Sequence, residues 1–119
     1  MTQELTPVEV DMLAKVAIHY RHAKEKHPYF CDKVTNAYWN LEDVQDNLAR
    51  IRRNIKQDIK LHDIQALSLL VCEFMEFEEA WTRSDNSAAV GECYDAIAVL
   101  LRIIDVIEGR QKLGKVGAE

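Results

Sequence analysis

Proline and glycine are scarce in this chain, two and four among 119 residues. A β-sandwich or barrel needs many tight turns, so the shortage points to helix. No uncharged apolar run exceeds six residues, well short of the roughly 20 that a membrane-spanning helix needs. Cysteine is limited to Cys31, Cys72 and Cys93, an odd number at no zinc-like spacing. With no recognisable signal peptide, they read as reduced thiols of a cytoplasmic protein. Positive charge is in deficit, with 15 Lys and Arg against 20 Asp and Glu, a net −5. That balance argues against general nucleic-acid binding. A Gly-rich phosphate loop, a Ser-His-Asp set and a Cys-His pair in recognisable context are all missing. P-loop chemistry and acyl transfer therefore have no support. There is no internal repeat and no low-complexity segment.

What remains is 48% apolar and 29% charged, a globular balance. The length suits a single all-α domain over 1–109 with one core, followed by a mobile tail over 110–119. The first helix is predicted to start at Thr6 as N-cap with Pro7 at its first position. It should end before Pro28, which disfavours helical geometry at His27. Val10, Leu13, Ala14, Ala17 and Tyr20 recur with helical period and form its apolar face. His19, His22, His27 and Cys31 crowd the far end. Their spacing fits no common zinc pattern, so they read as the polar C-terminal end of the helix. Tyr29, Phe30, Tyr38 and Trp39 follow within eleven residues. They could stack on a nucleobase, but a core plug between two helices is the preferred reading.

A second helix is predicted from Thr35 or Asn40 to Lys60. Ala37, Leu41, Val44, Leu48, Ile51 and Ile55 form a heptad-like seam suited to a bundle partner. Arg50, Arg52, Arg53, Lys56 and Lys60 make the main basic cluster, with Arg52 and Lys56 flanking the seam. A third helix, with Asp63 as its expected N-cap, runs to about Thr82. The polar connector 83–87 offers Asp85, Asn86 or Ser87 as the next cap. The last helix runs to about Glu108, with Gly109 as C-cap. The fold class expected is an all-α bundle of about four main helices.

Two acid pairs stand out on the last two helices: Glu73 with Glu76, and Glu92 with Asp95. Each has i,i+3 spacing, so its carboxylates share one helix face. Apolar residues surround them, including Leu69, Leu70, Val71, Phe74 and Phe77 on one helix and the run 96–101 on the other. A helix apolar all round is expected to be buried, and an unpaired buried charge is costly. The acids therefore need a partner, either a metal ion or an arginine. Four oxygen donors at one point suit a hard cation such as Mg²⁺.

Glu-x-x-Glu, a loop, and Glu-x-x-Asp followed by an apolar helix resembles the MazG-like, all-α nucleoside triphosphate pyrophosphohydrolases. The resemblance runs over roughly 62–108, with Cys72 standing where many members carry a further Glu. It implies that Glu73, Glu76, Glu92 and Asp95 hold Mg²⁺, with Mn²⁺ as a substitute. It also implies cleavage between the α- and β-phosphates of a (d)NTP, giving a (d)NMP and pyrophosphate. Glu79, one turn beyond Glu76, is the candidate to orient the attacking water. Arg52, Lys56 and Arg102 are the candidate contacts to the triphosphate, although pairing with the acids is the alternative for each. An apolar last helix in so short a chain suggests a homodimer or homotetramer, and the resemblance implies the same. The rival expectation is a non-catalytic helical interaction or regulatory module whose acids make interhelical ion pairs.

Overall fold

The computed structural model describes residues 4–30 and 40–110. Cys31, Ala37, Tyr38, Trp39, the expected helix start at Thr35 and residues 111–119 of the expected tail lie outside the described residues. Four α-helices and no strand are present among the described residues: α1 (Pro7–Lys26), α2 (Leu41–Lys60), α3 (Ala66–Thr82) and α4 (Asn86–Ile107). No helix among them is long and apolar enough to cross a membrane. The chain divides into two units, Met1–Asn36 and Ala37–Glu119.

In the first unit, α1 is set by local chemistry. Thr6 and Glu9 form a capping box: the Thr6 amide donates to Glu9 Oε1 at 2.9 Å, and the Glu9 amide donates to Thr6 Oγ1 at 3.1 Å. Two orphan amides of the first turn are thereby satisfied. Asp11 and Lys15 pair at i,i+4, and Lys24 lies over the Tyr20 ring. None of its side chains is buried, and Val10, Leu13, Val16 and Ile18 are exposed. His19, His22, His27 and Phe30 are exposed as well.

In the second unit, α2 packs on α3 and α3 packs on α4. The α2 seam supplies the core on its side: Val44 and Leu48 are buried, the latter only 1% exposed, with Leu41, Ile51 and Ile55 half-buried. Cys72 and Ala80 of α3 and Ala89 and Val99 of α4 complete the buried set. Phe77 and Trp81, one turn apart on α3, stack with ring centroids at 6.2 Å. The expected burial of α4 is met on one side only among the described residues: Ala89 and Val99 are buried, whereas Tyr94, Ile97, Leu100, Ile104 and Val106 are exposed.

All three helices of this unit end in the same way. His62, Ser84 and Gly109 follow the C-caps with φ of +57°, +60° and +75°. In each case two amides turn back to the last carbonyls: His62 to Ile59 and Asp63 to Asp58, Ser84 to Trp81 and Asp85 to Ala80, Gly109 to Val106 and Arg110 to Asp105. This double closure is the Schellman motif. It also corrects the cap expected for α3. The Asp63 amide belongs to the close of α2, and α3 starts later, with Gln65 as N-cap and no side-chain capping bond.

Candidate metal centre

The α3–α4 connection is built from three residues, 83–85. Asp85 serves both helices: its amide closes α3 on Ala80, and its carboxylate accepts from the Ala88 amide at 3.0 Å to cap α4. So short a connection makes the helices antiparallel neighbours. Residues equally far from the turn then face each other, which brings the Glu73 level of α3 to the Glu92–Asp95 level of α4.

One carboxylate oxygen from each of Glu73, Glu92 and Asp95 lies within 4.8 Å of the others. Glu73 and Glu92 are half-buried and Asp95 is exposed. Oε1 of Glu73 and Oε1 of Glu92 are each buried with no hydrogen-bond partner. Burial and the neighbouring Glu76, Asp95 and Glu92 push the Glu73 carboxyl up to about 8. Burial, with the charges of Glu76 and Asp95, raises Glu92 as well. Cys72 sits beside these groups, and burial followed by the charges of Glu76 and Glu73 pushes its thiol up.

The fourth acid has a different partner. Arg52 Nη2 of α2 donates to Glu76 Oε2 at 2.8 Å. Burial alone would raise Glu76, but hydrogen bonds from Glu73 and Arg52, together with the Arg52 charge, outweigh it and hold this carboxyl below its ordinary value. Glu79 is held by two residues that its sequence context did not single out. Gln45 Nε2 donates to its Oε2 at 3.3 Å, and Arg83 Nη2 lies 3.6 Å from the same oxygen. Gln45 and Arg52 are seven residues apart, each next to a seam residue, Val44 and Ile51. That spacing was the available signal that both point at α3. Glu78 is half-buried, and burial raises its carboxyl. Lys56 and Arg102 are exposed and make no ion pair among the described residues.

The donor set fits a hard divalent cation. Three carboxylate oxygens lie within 4.8 Å of one another, close enough to turn toward one ion, and Glu73 and Glu92 each carry a buried oxygen that lacks a donor. Comparison with known proteins adds no assignment: no family model, no curated protein and no solved structure matches the chain.

Proposed function

We propose that the chain is a divalent-cation-dependent, MazG-like pyrophosphohydrolase that converts a nucleoside triphosphate and water to the monophosphate and pyrophosphate. The observation that carries this reading is the convergence of Glu73, Glu92 and Asp95, with two buried carboxylate oxygens that no donor satisfies. The sequence resemblance supplies the reaction. Mg²⁺ is the cofactor, with Mn²⁺ able to replace it.

When bound, the cation would offset phosphate charge and acidify a nearby water. Glu73, whose carboxyl is pushed up to about 8, would give up its proton on loading, since a ligating carboxylate is ionised. Glu76 is the fourth ligand. Glu79 orients the attacking water, its carboxylate fixed by Gln45 and Arg83. Arg52, Lys56 and Arg102 offset the negative charge that a triphosphate brings to an acidic site. The exposed apolar side chains of α4 fit assembly into a homodimer or homotetramer. A cytoplasmic location suits reduced cysteines and a nucleotide substrate.

A second reading has one observation in its favour. The Arg52–Glu76 pair is the interhelical ion pair expected of a non-catalytic helical module. Two measurements separate the readings. Millimolar Mg²⁺ or Mn²⁺ should raise the melting temperature by about 5–10 °C once it exceeds its Kd tenfold, a gain of about 1.4 kcal/mol. Glu73→Gln or Asp95→Asn should abolish that increase. A nucleotide screen should then find pyrophosphate release with metal present. Absence of both effects favours the module.

A further inference from the structure

The four acids face two kinds of neighbour. Glu73, Glu92 and Asp95 face one another, whereas Glu76, one turn from Glu73, is held by Arg52 at 2.8 Å. Glu76 is not among the converging oxygens, although its place on α3 keeps it within a side chain's reach of them.

We infer that Arg52 is an ion-pair latch that competes with a divalent cation for Glu76. The guanidinium occupies Oε2 of Glu76, the carboxylate outside the converging three, even though Glu73 and Glu92 also hydrogen-bond to it. A cation gains that fourth oxygen donor by breaking the pair. The inference rests on the metal reading above and goes beyond it, because it makes Arg52 a determinant of cation affinity in the absence of any nucleotide.

The exposures of the two partners favour this division of labour. The Arg52 side chain is 54% exposed and Glu76 only 25%. Arg52, the more exposed partner, can swing into water and keep its charge hydrated. Glu76 stays at the site whichever partner it has. Once released, the guanidinium stands beside the cation with its planar fork free, the geometry that grips a phosphate in bidentate fashion. The same residue thus suppresses cation loading and greets the polyanion that follows.

Calorimetric titration with Mn²⁺ alone tests this in the parent protein, Arg52→Met, Glu76→Gln and the double variant, with Arg52→Gln as a second substitution at the latch. Arg52→Met should tighten Mn²⁺ binding about tenfold in the parent background, and by less than about twofold when Glu76 is already Gln. Equal tightening in both backgrounds overturns the latch, because removal of a positive charge would then explain everything. Unchanged or weaker binding in Arg52→Met and Arg52→Gln overturns it too. If neither the parent nor Arg52→Met binds Mn²⁺, the metal reading falls and the latch falls with it. That outcome is distinct from a parent that binds metal indifferently to residue 52.

Discussion

The two flanks of α3 carry the same side-chain chemistry and meet opposite partners. Toward α2, Glu76 and Glu79 meet Arg52 and Gln45, with Arg83 from the helix's own end. Toward α4, Glu73 meets Glu92 and Asp95, two more acids. A single helical turn separates a carboxyl held below its ordinary value from one pushed up to about 8. Helix spacing places the acids, but the neighbouring helix decides what each one does. On the α2 flank each acid already has a partner. The α4 flank is left wanting a cation.

The harshest way to break this contrast is to loosen α2. Leu48, only 1% exposed, is the most buried side chain between the helices, and Leu48→Ala should cost about 3 kcal/mol. Urea denaturation would register it as a lower midpoint. The variant should also lose the distinction between Glu76 and Glu73, because Arg52 and Gln45 would no longer be held in place.

A second prediction sharpens the contrast through pH. Between its ordinary value near 4.5 and about 8, Glu73 keeps a proton in the folded chain that the unfolded chain releases. The folded state then binds more protons, so its contribution to stability is whole below that window and lost as pH rises through about 8. Glu76, held low, behaves in the opposite sense: its contribution is present above the ordinary value and lost as pH falls through the lowered one. The urea midpoint of the metal-free protein should therefore fall from about pH 5 to about pH 8.5, and Glu73→Gln should flatten that slope. A midpoint that climbs across the same range would contradict the arrangement of the α4 flank.

How far the sequence foretold these flanks depends on which forces set each feature. Local signals were readable: the Thr6 cap, the Val44 and Leu48 seam, Asp85 among three candidate caps and the two acid pairs all follow from spacing along one helix. Asp63 misled because its residue type suits a cap, whereas the N-cap of α3 falls two residues later, at Gln65. The split between Glu73 and Glu76 depends on Arg52, 24 residues upstream of Glu76, and no i,i+3 rule carries that information. The α4 run 96–101 misled in another way. Its apolar residues imply a covering surface, but α3 covers only one side of the helix.

The smallest predicted effect lies at the α3–α4 turn. Ser84 holds φ at +60° without being glycine, a conformation costly for any residue with a Cβ. Ser84→Gly should relieve it and stabilise the protein by about 0.5–1 kcal/mol, the gain being trimmed by glycine's greater freedom when unfolded. Thermal melting would show a rise of a few degrees. No change would mean that the turn is under no strain.

Asp85 has a consequence beyond capping. Its main chain terminates one helix and its side chain initiates the next, so fraying on either side of the turn undoes a bond that the other side needs. The hairpin should open and shut as one cooperative unit. Glu73, Glu92 and Asp95 would then disperse together or assemble together, and a partly formed ligand cage would be rarely populated.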